Sequence, residues 1–402
     1  MDKTVGLACN ISTGKLDANQ AVSGGQYPFF TCAEFPDNID HFAYDDDVVL
    51  VAGNNARGNF HVSRYKGKFN AYQRTYILTA KEGFNIDYIY YALKLELKRL
   101  RERAQGSQTK FLTMPILTGI HLRDVTGDEQ TEIANVLSAL DKKIELNNRT
   151  NAELEAMAKT LYDYWFVQFD FPDANGKPYK VSGGKMVYSD TLKREIPVGW
   201  SDGTLDNLGQ IVGGSTPSTA DKNNFSEQGS AWITPNDLSG NIGNKFISKG
   251  AMGVTAEGIK SASLKKYPAG TVLLSSRAPI GYMAIARNAL TTNQGFKSFV
   301  PSKGYPTEFV YFTVKNSLKA IMQYSSGSTF KEVSGTVLKT VKIVLPPNEL
   351  VEEFKGKIED LFRKQDVLEQ ENEQLSSLRD WLLPMLMNGQ VTVNPSAELK
   401  NV

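Results

Sequence analysis

Two stretches of the chain repeat an apolar position every seven residues. In the first, Ile133, Leu140, Leu154 and Leu161 recur, with Asn147 as the one polar member, joined by Leu137, Ile144, Ala158 and Trp165. In the second, Phe354, Leu361, Leu368, Leu375 and Leu382 recur, joined by Ile358 and Leu386. A seven-residue period sustained this long, with Lys, Glu, Gln and Asn between, predicts a coiled coil; a helix lying on its own domain drifts to a 3.6 period. Thr126 with Glu129 offers a capping box, Pro346-Pro347-Asn348 opens the second helix, and Asn388-Gly389 closes it. Each helix covers roughly 34 residues, about 50 Å at 1.5 Å per residue. Both stripes need burial and lie in one chain, so antiparallel pairing with each other is expected. That pairing puts Asn147 near Leu368, a polar layer that fixes register at some cost in stability.

The helices end two copies of a longer pattern. Residues 47–60 align with 270–282, and Gly106-Ser107-Gln108-Thr109-Lys110 aligns with Gly327-Ser328-Thr329-Phe330-Lys331. From there the offset of 221 carries Leu154 onto Leu375, Met157 onto Leu378 and Leu161 onto Leu382. A period this long is a whole domain plus one helix, duplicated. Ahead of each helix, short β-rich runs lie between Gly and Asn turns, at 27–31, 48–52 and 74–79, then at 232–234, 272–275 and 296–300. One amphipathic helix joins them in each copy: Ile86, Ile89, Tyr90, Leu93, Leu97 and Leu100 share a face in the first, and 307–322 serves in the second. The expected fold class is α/β (α+β), with two duplicated mixed α/β domains separated by an antiparallel two-helix coiled coil of pseudo-two-fold symmetry. The expected boundaries are 1–125 for the first domain, 126–165 for its helix, and 166–200 for an extended connector. The second domain follows at 201–346, its helix at 347–388 and a tail at 389–402.

Composition narrows the function classes. The 402 residues carry Lys+Arg 45 against Asp+Glu 44, a formal net charge of +1, which argues against coating nucleic acid by bulk positive charge and leaves room for local patches. No apolar run approaches the ~18–20 residues of a membrane helix, and MDKTVGLACN has no signal-peptide core, so a cytoplasmic protein without membrane contact is expected. Cys9 and Cys32 signal neither a disulfide framework nor a thiolate metal site. No Gly-x-x-x-x-Gly-Lys-Ser/Thr loop occurs, and His41, His61 and His121 lack ligand spacing. Asp141 and Lys143 make a nuclease pattern only with distant carboxylates. A chain without a catalytic set reads as a binder, with no metal and no cofactor of its own.

The remaining chemistry is that of recognition. Asn54, Asn55, Arg57 and Asn59 follow an apolar strand in the first copy; Ser275, Ser276, Arg277 and Tyr282 follow one in the second. Asn, Gln and Arg are the side chains that pair bidentately with adenine or guanine edges in a major groove. Gln73-Arg74 and Asn293-Gln294 occupy corresponding places, and the Gly-Ser loops add Gln108 and Lys110, then Ser328 and Lys331, as backbone and Lys donors suited to phosphate. Basic charge also gathers at Lys94, Lys98, Arg99, Arg101 and Arg103. A solvated turn competes with each of these taken singly; recurrence favours Arg57 with Arg277, and the Gly-Ser loops. Three readings stand: a DNA-binding subunit, a coiled-coil scaffold without a DNA role, and a cryptic nuclease.

The connector adds longer motifs. Tyr164-Trp165-Phe166-Val167-Gln168-Phe169-Asp170-Phe171-Pro172, Asn175-Gly176-Lys177-Pro178-Tyr179, Ser182-Gly183-Gly184-Lys185-Met186 and Leu192-Lys193-Arg194-Glu195-Ile196-Pro197-Val198-Gly199-Trp200 resemble the specificity (S) subunits of Type I restriction–modification systems. So does Leu378-Arg379-Asp380-Trp381-Leu382-Leu383-Pro384-Met385-Leu386-Met387-Asn388-Gly389-Gln390-Val391, and the resemblance covers nearly the whole chain. It implies a non-catalytic subunit whose two target-recognition domains each read one half of a bipartite double-stranded DNA site. The helices are then the spacer and the docking surface for two methyltransferase (M) subunits, and restriction (R) subunits join the same complex. S-adenosylmethionine, ATP and Mg belong to those partners. One departure is visible: Ile196-Pro197-Val198-Gly199-Trp200 precedes the second copy, whereas Met1 is followed almost at once by residues 7–14, so a shortened or minimal amino terminus is expected. Near-neutral charge further implies weak DNA binding by the isolated chain.

Overall fold

The structure, a computed structural model, describes residues 3–54, 60–103, 111–277, 279–325 and 332–393. It divides into two compact units, one drawn from Met1–Glu145 with Glu373–Val402 and the other from Leu146–Asn372. Each long helix contributes a segment to both.

In the first unit a short helix α1 (Val5–Ala8) leads into β1 (Cys9–Thr13), followed by β2 (Tyr27–Phe30), β3 (Asp37–Ile39), β4 (Tyr44–Ala52), β5 (Val62–Ala71) and β6 (Thr75–Ala80). They form one sheet in the order β1-β6-β4-β5-β2-β3. The run Val48-Val49-Leu50-Val51 makes β4 the central strand because alternate side chains enter opposite cores. Val49 and Val51 pack beneath α2 (Ile86–Arg103), with Ile89, Leu93 and Leu97 at four-residue steps. Val48 and Leu50 face Phe30, Phe69 and Ile77 on the other side. A turn of helix α3 (Met114–Thr118) precedes the first long helix, α4 (Gly127–Tyr162).

The second unit opens with the hairpin β7 (Met186–Ser189) and β8 (Arg194–Pro197), then β9 (Ser201–Thr204) and β10 (Gly209–Gly213). After these come β11 (Phe225–Ser226), β12 (Ser230–Ile233), α5 (Pro235–Gly240), β13 (Phe246–Ile247), β14 (Met252–Val254) and α6 (Ala256–Ser261). Next come β15 (Val272–Leu274), β16 (Met283–Ala286), β17 (Thr291–Thr292), β18 (Lys297–Pro301), α7 (Thr307–Ser325), α8 (Gly335–Leu338), β19 (Lys342–Leu345) and the second long helix, α9 (Asn348–Met387). The main sheet runs β10-β18-β15-β16-β13, and β11-β14-β12-β17 make a smaller one.

The duplication extends to strand order and direction. Going inward from β1 or β10, each sheet makes three antiparallel pairings and then a parallel one, β2 on β5 and β13 on β16. Ile86 and Thr307, Met114 and Gly335, and Gly127 and Asn348 begin equivalent helices and differ by 221. Thr4 bridges His121 where Thr204 pairs with Lys342, and Lys342 stands at the same offset from His121. Of the expected strands, 27–31, 48–52, 74–79, 232–234, 272–275 and 296–300 all fall on strands.

The segment 166–200, expected to be an extended connector, instead anchors both of its ends in the second unit's core, while residues 174–188 between them are mostly exposed. Phe166, Phe169, Phe171 and Trp200 are buried with Phe309 and Phe354. Ring centroids lie 4.9 Å apart for Phe166–Phe309 and for Phe166–Phe354, and 5.1 Å for Phe171–Trp200. Phe169 holds φ 68°, a left-handed backbone that bulky residues avoid, kept there by burial against Trp200 and beneath Arg194, 4.7 Å above its ring. Met186 to Ser189 pairs with Arg194 to Pro197 in a regular antiparallel hairpin. Phe166→Ala should therefore cost about 3–5 kcal/mol, the usual range for a buried aromatic, read as a lower urea midpoint. A true surface connector would move by no more than about 0.5 kcal/mol.

Candidate nucleic-acid interface and the helix seam

The two central strands end in equivalent backbone frames. In the first unit, Gly53 N–H donates to the Arg74 carbonyl (2.8 Å), Leu112 N–H to the Gly53 carbonyl (2.9 Å), and Asn54 bridges Phe111. In the second, Ser276 N–H donates to the Gly295 carbonyl (2.8 Å), Val333 N–H to the Ser276 carbonyl (2.9 Å), and Arg277 bridges Glu332. Phe111 and Glu332 stand at the 221 offset, so the backbone pairs Asn54 with Arg277, where the sequence suggested Arg57. Gln73 and Gln294 become equivalents by the same pairing.

The side chains on these frames differ. In the first unit, exposed Gln73 donates to Asp17 (2.8 Å), and the exposed Arg74 guanidinium lies 5.8 Å from the centre of the half-exposed Phe111 ring. In the second, Arg277 is partly exposed, exposed Gln294 is met by the Thr216 hydroxyl, and Lys297 lies 3.5 Å from Glu332. Gly214 allows that arrangement: a Cβ there would stand 2.1 Å from the Thr292 carbonyl oxygen, so only glycine lets residues 214–216 lie against 292–294. The side-chain amide oxygen of Asn293 accepts from Gly295 N–H (2.8 Å), and Tyr282 packs against a small apolar cluster behind the edge.

Ser276 corrects an expectation. It is fully buried, so its hydroxyl faces the interior and only its backbone serves the edge. Asn55, Arg57, Asn59, Gln108, Lys110, Ser328 and Lys331 lie outside the described residues. On α2, Arg99 is bound to Glu96 and Asn388, and the Lys94 ammonium lies 5.1 Å from the Tyr90 ring centre, while Lys98 and Arg101 are exposed. Phe111, Glu332, Thr216 and Lys297 were missed; the 221 offset already joined the first two.

The heptad residues all turn inward, but the seam is not apolar throughout. Ile133 and Leu137 pack with Leu383 and Leu386 in the first unit; Ala158 and Tyr162 pack with Phe354 and Ile358 in the second. Leu368 is buried, and Leu140, Leu154, Leu161, Leu361, Leu375 and Leu382 are half-buried. The middle is polar. Asn147, expected beside Leu368, donates to Asn372 (2.9 Å) and Glu371 (2.8 Å). Asn372 donates to Asn148 (2.8 Å), and Gln365 to the Asn151 carbonyl (3.1 Å). A polar group buried in a seam needs a polar partner, so amide opposes amide where leucine was expected.

Asp141 is part of this structure. One oxygen accepts from Tyr91 (2.7 Å) and the other from Arg379 (2.7 Å); burial first, and then the Asp141 carboxylate, push the Tyr91 hydroxyl upward in pKa. Burial alone would lower Arg379, yet the two carboxylates Asp141 and Asp380 raise it above its ordinary value. A carboxylate committed on both sides is not free to hold a metal. Among the described residues no group of three or more His, Cys, Asp or Glu side chains is placed to hold a metal ion, and no helix is long and apolar enough to cross a membrane.

The class follows from fold and edge together: a duplicated mixed α/β recognition domain, each copy continued by a long helix, with different side chains on one shared frame. The Type I restriction modification DNA specificity domain matches the chain twice, at residues 3–156 and 197–377, and the chain belongs to that family. It is 39% identical over 191 residues to the Type I restriction enzyme MjaIX specificity subunit of Methanocaldococcus jannaschii, covering 45% of this chain and 44% of that one. The chain thus spans under half the length of that relative. It is 27% identical over 420 residues to the EcoDI specificity subunit of Escherichia coli, covering 98% of this chain and 90% of the relative. The crystal structure of the Type-I restriction-modification system S subunit from M. genitalium shares the fold, with a TM-score of 0.60 at 16% identity over 96% of both chains.

Because Asp141 is structural, Asp141→Ala should cost about 1–3 kcal/mol of stability, seen as a lower thermal midpoint. The purified chain with Mg2+ or Mn2+ should leave duplex DNA intact; cleavage that Asp141→Ala abolishes would restore the nuclease reading.

Proposed function

We propose that this chain is the non-catalytic specificity subunit of a Type I restriction–modification complex, in which each unit reads one half of a bipartite double-stranded DNA site. One observation carries the reading: equivalent strand ends present Asn54 and Phe111 in one unit and Arg277 and Glu332 in the other, on matching backbone hydrogen bonds. A bipartite reader needs this combination, a common frame carrying different base-facing chemistry. Arg suits guanine and Asn adenine through paired hydrogen bonds, Glu accepts from cytosine, and an apolar ring meets the thymine methyl. Arg74, Gln73, Gln294 and Lys297 flank these positions, and Tyr282 and Asn293 support the second edge from behind.

The paired helices serve as spacer and as the dock for two methyltransferase subunits, which restriction subunits join. S-adenosylmethionine, ATP and Mg sit in those partners, which supply adenine methylation and ATP-dependent cleavage in the cytoplasm. With a net charge of +1, the chain leaves most phosphate attraction to its partners.

Arg277→Ala, expressed with the methyltransferase subunit, should lose about 1–3 kcal/mol of discrimination at one base of one half-site, read by methylome sequencing. Equal loss at both halves would mean failed assembly and count against a base contact. Removing one heptad from both α4 and α9 shortens each by about 10 Å and should shorten the recognised gap by about three base pairs. An unaltered gap would refute the spacer role.

A further inference from the structure

Lys245, just ahead of β13, is 4% exposed and held by both long helices. Its ammonium lies 2.7 Å from Glu155 of α4 and donates to Gln365 of α9 at 2.6 Å. It stands 3.4 Å from the ring centre of Phe362, so it is closed over by an aromatic face as well. Its backbone N–H donates to one Glu369 oxygen (2.7 Å), and Phe246 N–H donates to the other (3.0 Å). Beyond β16, Arg287 reaches Asp366 at 2.6 Å, Glu369 at 3.6 Å and Ser248 at 3.4 Å. Lys315 of α7 meets Glu155 at 2.5 Å, and the Tyr311 hydroxyl donates to the same carboxylate at 3.3 Å. Three cations of the recognition domain thus meet three carboxylates of the spacer helices.

Burial makes this cluster demanding. It pushes Glu369 up to about 7, opposed by the two backbone donors and Arg287, and draws Lys245 down to about 8, opposed chiefly by Glu155. Burial would also raise Glu155, but Lys245 and Lys315 hold it below its ordinary value. Apolar surfaces tolerate sliding; buried charges with paired hydrogen bonds accept one geometry. The other copy keeps only part of this set, with Glu145 at the position of Asp366. At the 221 offset Tyr90 and Lys94 match Tyr311 and Lys315, but Ile144 stands for Gln365, Asn148 for Glu369 and Asp141 for Phe362.

We propose that Lys245 and Arg287, clamped by Glu155, Gln365, Asp366 and Glu369, are positioning residues that fix the second recognition domain on the spacer helices and so fix the half-site spacing that the complex accepts. This rests on the bipartite reading above. It differs from a purely structural role in one respect: loosening the clamp changes which gaps are used as well as how much protein folds.

The test uses the complex with its methyltransferase subunits, on duplexes that keep both half-sites and vary the gap one base pair at a time. Lys245→Met retains the stem against Phe362 and removes the ammonium. It should lower the methylation rate at the native gap by about tenfold or more and narrow its advantage over gaps one base pair longer or shorter, with half-site sequences unchanged. Lys245→Arg should restore much of the preference. An unchanged rate and gap profile, or an equal fall at every gap, overturns the proposal. If Lys245→Met does not assemble, the near-isosteric Glu155→Gln is measured in the same way, and an unchanged gap profile there overturns it equally. Wild-type complex that showed no fixed gap at all would refute the bipartite reading itself, a result distinct from failure of the clamp.

Discussion

A buried polar group must find its partner where it is buried, and the seam between α4 and α9 is organised around that constraint. Apolar layers close it toward its ends, Ile133 and Leu137 with Leu383 and Leu386, then Ala158 and Tyr162 with Phe354 and Ile358. Between them stand Asp141 with Arg379, Asn147 with Asn372, and Gln365 with the Asn151 backbone. Leucine layers can shift by a turn at little cost, whereas amide and charge layers satisfied by particular partners cannot. Within each unit the paired helix segments therefore have one register, and the elements built on them there inherit a defined place. In the second unit the inheritance is direct, because Glu155, Asp366 and Glu369 of the seam also hold Lys245 and Arg287 of the sheet.

The duplication then separates scaffold from specificity. Strand order, pairing sense and the 221-residue helix offset are common to both copies, while the residues at the strand ends are not. A smaller sheet, β11-β14-β12-β17, is added in the second copy, and Trp232 of its β12 donates to the Ser215 carbonyl (3.1 Å), next to the Thr216 that meets Gln294. Functional side chains at the ends of rigid elements can diverge without disturbing the core, because Val48 to Val51 and Val272 to Leu274 carry the packing one residue or more away.

Periodic features were legible in the chain. Both long helices, the duplication and the α2 face follow from a period of seven, an offset of 221 and a period of 3.6, and the central strands from short apolar runs between turn residues. Other features leave no such signature. β5 was overlooked because Val62-Ser63-Arg64-Tyr65-Lys66-Gly67-Lys68-Phe69-Asn70-Ala71 alternates weakly and is only half-buried over most of its length. The aromatic segment around Phe166 to Trp200 reads as a linker because Gly and Pro punctuate it, yet its rings fill a core assembled from several distant stretches. Ion pairs such as Lys245 with Glu155 join residues far apart in sequence, and neither member looks unusual alone. At the strand ends, residue types were readable, but burial was not: Ser276 and Arg277 are neighbours, one fully interior and one partly exposed.

The central claim is that two differently armed copies of one domain read two halves of one DNA site. Methylome sequencing of a host that expresses the wild-type chain with its methyltransferase subunit tests it most directly. The account predicts one new motif, made of two unlike specified half-sites separated by an unspecified gap of constant length. A single continuous motif, or no new methylation from a correctly assembled complex, would contradict it.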